Sequence, residues 1–364
     1  MSEYRVAVYA ICKNEAKFVD RWLDSMEEAD EIYVTDTGSS DNTVQKLQAR
    51  DVIVNQINLK PWRFDIARNI SLSFVPEDVD ICVCTDLDEV FKAGWRELLE
   101  KAWTEETTRL KYKYTWSFNP DGSPGVTFWY EKIHQREGFR WVHPVHEVLE
   151  YYGEKPDVYT WEEKIQLNHY PDPEKSRGEY LKLLKLAVKE KPDNDRNLHY
   201  LGREYMFYAK WDKCIKTLKK HLKLPSANWK AERSASMRYI ARAYKAKNNF
   251  QQASNWLYKA IAEAPQLREP YVEMAQLAYL QQDWPKVFQM IHTALKIKER
   301  PTSYINEAFC WDHTLYDLGA ISSFNLGLYK KAFHFAKQAT EMSPNNQRLK
   351  DNFELIKEKY QSIN

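Results

Sequence analysis

The second half of this sequence repeats one pattern of small and aromatic residues four times. Each copy begins with Gly or Ala, has an aromatic residue nine positions later, and has a small or β-branched residue twelve positions later. The copies are Gly202/Trp211/Cys214, Ala241/Phe250/Ala253, Ala275/Trp284/Val287 and Ala320/Tyr329/Ala332. Small residues let two helices cross closely, and the aromatic side chain fills the space at the turn between them. The pattern therefore predicts stacked helix–turn–helix units that build an all-α solenoid.

The spacing of the copies indicates the kind of repeat. They begin 39, 34 and 45 residues apart, near the 34-residue tetratricopeptide unit with insertions. Pro265 and Pro344 fall where two helix pairs should end. Residues 345–360 are typical of a capping helix, and we expect residues 174–192 to form a helix that bridges the array to the first half.

The first half alternates apolar, β-branched runs with amphipathic segments. Predicted strands cover residues 5–12, 31–37, 51–56 and 79–86. Predicted helices lie between them, including residues 13–29 and about 65–74. This alternation with short connections predicts a mostly parallel, Rossmann-like α/β sheet. Ligands of such sheets bind beyond the carboxyl ends of the strands.

Polar residues follow three of the predicted strands. Asn14 and Glu15 follow the first, Asp36 belongs to the end of the second, and Asp86 and Asp88 follow the fourth. We expect these side chains to converge at one edge of the sheet. Two carboxylates in a DxD arrangement can approach one divalent cation, and carboxylate and phosphate oxygens suit Mg²⁺ or Mn²⁺. Taken alone, the pair also fits a solvated loop, and the turn after Asp36 also fits an Asp- and Asn-rich helix cap.

Five segments in this order resemble family 2 glycosyltransferases of the GT-A fold. They are AICKNEAKFVDRWLDS (10–25), EIYVTDTGSSDNT (31–43), DIARN (65–69), CTDLDEVF (84–91) and FRWVHPVHEVLE (139–150). Within that family, the fusion to tetratricopeptide repeats resembles the bacterial and phage sublancin-type S-glycosyltransferase group. The resemblance implies a GT-A domain that binds a nucleotide-sugar, most simply a UDP-sugar, together with Mn²⁺ or Mg²⁺.

The resemblance also implies roles for individual residues. Nucleotide-sugar binding is assigned to Ala10, Asn14, Glu15, Asp36, Arg68, Asp86 and Trp141. Metal binding is assigned to Asp86, Asp88, His146 and His169. Glu147 is the candidate general base, with Asp88 as a second catalytic residue. Family members often carry Gly at the position of His143, so the shape of that loop is open.

Some of these residues have a structural alternative. His169 can be a strand-end histidine, and His146 can have a structural role as well. Cys82 and Cys84 lie on one strand face, and core packing is favoured there over a zinc or redox site. An aromatic group can stack on a sugar or belong to the sheet core; it comprises Trp116, Phe118, Phe128, Trp129 and Tyr130.

Charge divides the chain into two halves. Residues 1–170 carry 31 acidic and 20 basic residues, a net of −11, and the remaining residues carry 21 and 33, a net of +12. Between Arg203 and Lys247 there are 13 Lys and Arg against three acidic residues. This run predicts either a solvated face or a surface for an acceptor, which can be a peptide or protein or an anionic polymer such as nucleic acid.

The setting of the protein is also suggested by the sequence. Five scattered cysteines, no membrane-spanning run and no secretory pattern at the N-terminus lead us to expect a cytoplasmic protein without membrane association. Nothing demands a homodimer, although one is compatible with the repeats.

These features predict three segments and one function. The segments are a GT-A domain (1–172), a bridging helix or linker (173–195) and helical repeats with a capping helix (196–364). The predicted function is metal-dependent sugar transfer with inversion, with the acceptor positioned by the repeats. One alternative is a non-catalytic scaffold with a degenerate GT-A domain. A nucleotidyltransferase is another, but its usual phosphate-binding loops, GxxxxGK[ST] and GxGxxG, are missing.

Overall fold

The structure is a computed structural model that describes residues 4–119, 121–173 and 178–362. Its contacts divide the chain into two compact units. The first comprises residues 1–187 and 302–304, and the second comprises residues 188–301 and 305–364. The three predicted domain bounds stay predictions, and residues 174–177 of the predicted bridging segment lie outside the described residues.

The first unit is built on β-strands. They are β1 (Val6–Cys12), β2 (Glu31–Asp36), β3 (Ile53–Gln56), β4 (Ile81–Thr85), β5 (Glu89–Phe91), β6 (Arg109–Thr115), β7 (Thr127–Gln135), β8 (Phe139–Val142), β9 (Val148–Tyr151) and β10 (Tyr159–His169). Among the described residues they form an eight-stranded sheet in the order β3-β2-β1-β4-β7-β6-β10-β5 and a separate β8-β9 pair. The β3-β2-β1-β4 half is parallel throughout, while β7 and β5 run antiparallel to their neighbours.

Helices cover both faces of this sheet. They are α1 (Val19–Met26), α2 (Thr43–Gln48), α3 (Phe64–Ser73) and α4 (Trp95–Ala102), and α5 (Tyr180–Glu190) follows the sheet in sequence. Every residue of β1 is buried, because Val8 and Ala10 pack into one core while Ala7 and Tyr9 pack into another. A strand covered on both faces reads as a continuous apolar run rather than an alternation. The predicted fold of this half is therefore confirmed.

The second unit consists of paired helices. They are α6 (Asp195–Phe207) with α7 (Trp211–His221), α8 (Lys230–Ala246) with α9 (Phe250–Glu263), α10 (Glu269–Leu280) with α11 (Trp284–Lys296), and α12 (Thr314–Asn325) with α13 (Tyr329–Met342). Helix α14 (Gln347–Gln361) packs on α13 and agrees with the predicted capping helix. The long interval before the last copy arises from the connection 297–313, which contains a short 3₁₀ turn.

The repeated residues have the same place in each pair. The small residue is buried in the first helix, the aromatic residue is the first residue of the second helix, and the third residue is buried one turn later. Two positions before the aromatic residue, each turn uses a left-handed backbone conformation; these residues are Ala209, Asn248, Gln282 and Gly327. The predicted helix–turn–helix array is confirmed. Within the described residues, no helix is both long and apolar enough to cross a membrane.

Candidate functional site

The carboxyl ends of β1, β2 and β4 lie side by side, as the sequence predicted. Asn14 and the turn after β2 hold each other, because the Asn14 amide nitrogen donates to Ser39 Oγ (2.8 Å) and Asn14 Oδ1 accepts from the Ser40 amide (2.7 Å). Asp36 is buried and accepts hydrogen bonds from the Gly38 and Ser39 amides, both at 3.0 Å. Asn14 and Asp36 therefore shape the turn at this edge.

Arg68 of α3 joins two of the predicted motifs. Its Nε donates to Glu147 Oε1 (2.6 Å) and its Nη2 donates to Asp86 Oδ1 (2.7 Å). The guanidinium also lies 5.2 Å from the Trp141 ring, and Arg68 is only 4% exposed. Asp86, Trp141 and Glu147, which are distant in sequence, thus meet around the buried guanidinium of Arg68.

A second buried cation was missed by the sequence reasoning. Lys132 Nζ of β7 lies 3.3 Å from Asp86 Oδ2 and 3.4 Å from Glu89 Oε1. Glu89 is also held by the Tyr114 hydroxyl (2.8 Å) and by the Asp86 amide (2.8 Å). Lys132 lies beyond the five matched segments, in the strand sequence TFWYEKIHQ. Only the pairing of β7 with β4 brings it to the DxD motif.

Electrostatics favour the charged forms of Asp86 and Lys132 but raise the pKa of Glu89. Burial by itself would raise the pKa of Asp86, but Arg68 and Lys132 outweigh it and hold that pKa well below its ordinary value. The pKa of Lys132 is raised well above its usual value, because Asp86 and Glu89 outweigh its burial. Burial is the largest cause that raises the pKa of Glu89, and the carboxylates of Asp86 and Asp88 add to it.

Asp88 lies in a different arrangement from Asp86. Its Oδ2 is 3.4 Å from His169 Nε2, and the other imidazole nitrogen lies 3.1 Å from the Trp116 carbonyl oxygen. Burial lowers the pKa of His169, but the hydrogen bond and charge of Asp88 outweigh burial, so the pKa is raised. The Trp116 ring stacks on the imidazole with centroids 4.3 Å apart and is half exposed.

The Trp141 indole is the end of a buried chain of hydrogen bonds. Its Nε1 donates to the Tyr9 hydroxyl (2.8 Å), which lies 2.9 Å from His134 Nε2. Burial lowers the pKa of His134 to about 3, so its ring is neutral and can accept from Tyr9. His134 Nδ1 then donates to the Gln135 carbonyl oxygen (2.7 Å). This chain fixes the indole against Arg68.

The remaining predicted residues lie around this cluster. Ala10 is buried in the core and its carbonyl oxygen accepts from Ser71 Oγ (3.0 Å). Glu15 is buried, and its amide donates to Thr43 Oγ1 (2.9 Å). His146 lies beside Tyr180, with ring centroids 5.7 Å apart. The ligand roles assigned to these residues stay predictions.

The loop between β8 and β9 has an unusual backbone. His143 and His146 have φ values of 78° and 52°. Such left-handed conformations favour Gly. His143 therefore has a left-handed backbone conformation of the kind that Gly adopts readily, so the loop has this shape without a Gly at that position.

The predicted metal ligands do not all meet. Among the described residues, no three of Asp86, Asp88, His146 and His169 bring ligating atoms within 4.8 Å of one another. Asp88 and His169 do form a carboxylate–imidazole pair whose oxygen and nitrogen suit Mn²⁺. Both oxygens of Asp86, in contrast, face Arg68 or Lys132.

The comparison with protein families addresses this part of the chain. Residues 7–147 match the family described as Glycosyl transferase family 2. The match covers the sheet edge, the DxD motif and Glu147, and it supports the GT-A assignment of the first half. Together with the helix pairs, it supports a fusion of a family 2 glycosyltransferase domain with tetratricopeptide-like repeats. No curated protein matches the chain.

Solved structures resemble about half of the chain. The crystal structure of MamA is 20% identical, covers 45% of this chain and 81% of its own, and has a TM-score of 0.36. YrrB, titled a TPR protein with an unusual peptide-binding site, is 12% identical, covers 50% and 85%, and has a TM-score of 0.40. Yeast Tom70 is 15% identical, covers 52% and 38%, and has a TM-score of 0.39. Likeness at this level carries no conclusion about function.

Proposed function

We propose that this protein is a metal-dependent glycosyltransferase that moves a sugar from a nucleotide-sugar to a macromolecular acceptor. The observation that carries the proposal is the Arg68 cluster. Within the region that matches the glycosyltransferase family, Arg68 is bonded to Asp86 of the DxD motif and to Glu147. Motifs that are far apart in sequence thus lie together at the carboxyl edge of a parallel sheet, which is where ligands of such sheets bind.

The donor is proposed to be a UDP-sugar. Its nucleotide would lie at the ends of β1 and β2, near Asn14, Glu15 and Asp36. A diphosphate needs positive charge around it, and Arg68 and Lys132 provide two buried cations beside Asp86. Ala10 would contribute through its backbone, since its side chain is in the core.

The metal is proposed to be Mn²⁺ or Mg²⁺. Asp88 and His169 fit it best, because their Oδ2 and Nε2 atoms are 3.4 Å apart. When bound, such an ion would offset the negative charge of the leaving diphosphate. His146 and Asp86 remain proposed ligands, and both would have to move relative to this pair.

The proposed reaction is direct displacement with inversion. The acceptor atom forms a bond to the anomeric carbon while the bond from that carbon to the diphosphate oxygen breaks. UDP leaves with the electron pair, and the acceptor proton passes to a carboxylate, for which we propose Glu147. Because Glu147 Oε1 already accepts from Arg68, proton transfer uses its other oxygen or a rearranged pair.

The acceptor is proposed to bind the helical repeats. Helix α7 exposes a row of lysines at helical spacing, namely Lys213, Lys216 and Lys220. Lys223 continues the row in the turn after the helix. Of the other cations in the basic run, Arg238 and Arg242 are engaged with Glu273. The lysine row therefore favours an acidic peptide or another anionic polymer as the acceptor. The resemblance to sublancin-type enzymes makes a cysteine sulfur one proposed acceptor atom.

Donor turnover tests the catalytic proposal. UDP release would be measured with UDP-glucose, UDP-GlcNAc, UDP-galactose and GDP-mannose, each with and without Mn²⁺. We expect one donor to give slow, Mn²⁺-dependent release. Asp88→Asn should reduce it by about 100-fold, since this variant removes a charged ligand. Asp24→Asn is the matched control, because Asp24 is an exposed acid of α1 that pairs only with Arg50 among the ion pairs of the described residues.

The outcomes separate the alternatives. No binding or turnover of any donor favours the scaffold with a degenerate GT-A domain. Pyrophosphate release from a nucleoside triphosphate favours a nucleotidyltransferase. If Glu147→Gln keeps full transfer while the separate variant Asp88→Asn abolishes it, the general base is a residue other than Glu147.

The acceptor proposal has its own test. Peptides that differ only in Cys, Ser or Asn at one position would identify the glycosylated atom by mass spectrometry. Transfer to an acidic peptide should fall with salt, and with Lys213→Glu/Lys216→Glu, but not with Lys350→Glu/Lys359→Glu on α14. Light scattering would test the possible homodimer, and fractionation of the source cells would test the expected cytoplasmic location.

A further inference from the structure

The first helix pair departs from the repeat pattern at one buried position. Ten residues after the aromatic residue, the other three pairs have Ala260, Ala294 and Ala339, each at most 1% exposed. The first pair has His221 at this position, and it is fully buried. A large polar ring has replaced a methyl group at a helix contact, which calls for an explanation other than packing.

His221 belongs to a cluster drawn from three helices. His199 of α6 places Nδ1 2.8 Å from Ser236 Oγ of α8, and the same hydroxyl lies 3.0 Å from His221 Nδ1. On the other side of the ring, His221 Nε2 lies 3.2 Å from Glu232 Oε1. One ligating atom from each of His199, His221 and Glu232 lies within 4.8 Å of the others, and all three residues are buried.

We propose that His199, His221 and Glu232 form a site for a divalent transition metal ion, zinc in the first place. Two imidazoles and one carboxylate are a common set of protein ligands for zinc, with a hydroxyl or water in the fourth position. Water would take that position, because the Ser236 hydroxyl lies on the Nδ1 side of the His221 ring and Glu232 on its Nε2 side. Neighbouring ligand atoms around tetrahedral zinc are about 3.3 Å apart, so the three ligand atoms need to approach one another by up to about 1.5 Å.

The metal would connect the first two repeats. Glu232 and Ser236 are one turn apart on α8, whereas His199 and His221 come from the preceding pair. Ligands from three helices would lock their packing, because binding energy to the folded state adds to its stability. The three residues belong to the second unit, whereas the DxD residues belong to the first.

A metal-free explanation makes a different prediction. The same contacts also form a hydrogen-bond chain from His199 through Ser236 and His221 to Glu232, in which every group has a partner. Such a chain depends on the Ser236 hydroxyl, whereas a metal site depends on the three ligands. Removing Ser236 and removing a ligand therefore distinguish the two.

The experiment uses the full chain with Asp88→Asn, which removes the other proposed metal site. After dialysis against a chelator, Co²⁺ is titrated while visible absorption is recorded, and Zn²⁺ is tested by thermal unfolding. We expect one Co²⁺ per chain with tetrahedral absorption bands and a higher unfolding temperature with Zn²⁺.

Adding His221→Ala, which restores the residue of the other repeats, should weaken Co²⁺ binding by about 100-fold or more. Glu232→Gln, which keeps the shape and a hydrogen-bond acceptor, should do the same, and Ser236→Ala should leave binding within about tenfold.

The overturning results are equally specific. Absence of Co²⁺ absorption and of a Zn²⁺-dependent shift in the Asp88→Asn protein overturns the proposal, whatever the further variants do. Binding that survives both His221→Ala and Glu232→Gln places the ion elsewhere and overturns it too. If Ser236→Ala lowers the unfolding temperature and neither Zn²⁺ nor Co²⁺ changes that temperature, the cluster is a hydrogen-bond chain and not a metal site.

Discussion

Gly202→Ala is a substitution for which the sequence and the structure give opposite expectations. The other three repeats have Ala at this position, namely Ala241, Ala275 and Ala320. In the interior of a helix, Ala is also more favourable than Gly by about 1 kcal/mol. Judged from the repeat pattern alone, the variant should be more stable than the wild type.

The structure indicates a clash instead. A Cβ added to Gly202 would lie 2.3 Å from Leu218 Cδ2 and 2.4 Å from Leu218 Cγ. Carbon atoms in contact are about 3.5–4.0 Å apart. Leu218 is fully buried, so its side chain cannot turn into solvent. Overpacking of this kind costs about 1–3 kcal/mol, and taking the upper end against the helix gain of about 1 kcal/mol leaves a loss of about 2 kcal/mol.

Thermal unfolding followed by circular dichroism measures this loss. About 2 kcal/mol should lower the unfolding temperature of the repeat unit by about 4–8 °C. Hydrogen exchange should show the loosening in α6 and α7. Gly319→Ala is the matched control, since its added Cβ would lie 3.1 Å from the partly buried ring of Phe335, which can shift.

A second background tests the cause. In a Leu218→Ala protein the clashing atoms are gone, so Gly202→Ala should now stabilise by about 1 kcal/mol through helix propensity. A Gly202→Ala protein that is as stable as the wild type, or more so, would refute the clash. An unchanged penalty in the Leu218→Ala background would assign the loss to something else.

Three further changes test the two units. Lys132→Met should lower the unfolding free energy by about 3–5 kcal/mol and abolish UDP release, because it removes the cation that the buried carboxylate of Glu89 shares with the partly exposed carboxylate of Asp86; chemical denaturation with unchanged stability would contradict this. Glu273 has a pKa lowered to about 2, because two arginines outweigh its burial, so its contribution is present above the ordinary value of 4.5 and is lost as the pH falls towards 2. The stability difference between wild type and Glu273→Gln in urea should therefore shrink from pH 5 to pH 3, and a constant difference would be the contrary result. Trp116→Ala should keep the wild-type unfolding temperature but raise the KM for donor or acceptor, because the half-exposed ring lies beside the DxD site; unchanged kinetics would exclude it from substrate contact.

The sequence predicted those features that repeat or alternate. β1 could be recognised because a strand covered on both faces is apolar throughout, and α1 because its buried residues recur at helical spacing. The aromatic residues Trp211, Phe250 and Trp284 were correctly placed at helix turns because every repeat meets the same packing problem. Local patterns of this kind depend on backbone period and burial, which a single segment already encodes.

The predicted site is only partly resolved by these patterns. The family resemblance assigned Arg68, Asp86 and Glu147 to one substrate site, and the structure brings these three side chains together, while their roles stay predictions. The four predicted metal ligands, however, do not all converge among the described residues. A motif names residue types in order, but side-chain direction and competing partners decide which atoms meet.

Only the tertiary structure could show the role of Lys132. In sequence it is one lysine of a strand, 43 positions from Glu89; strand pairing in the sheet places its charge against the carboxylates of Asp86 and Glu89. The same holds for His221, which looks like a surface histidine in the lysine-rich α7 but is fully buried against α6 and α8. The sequence alone reveals helices and strands because buried positions recur along the chain at the period of the backbone. Which charges face each other depends on contacts between distant segments, and these exist only once the chain has folded.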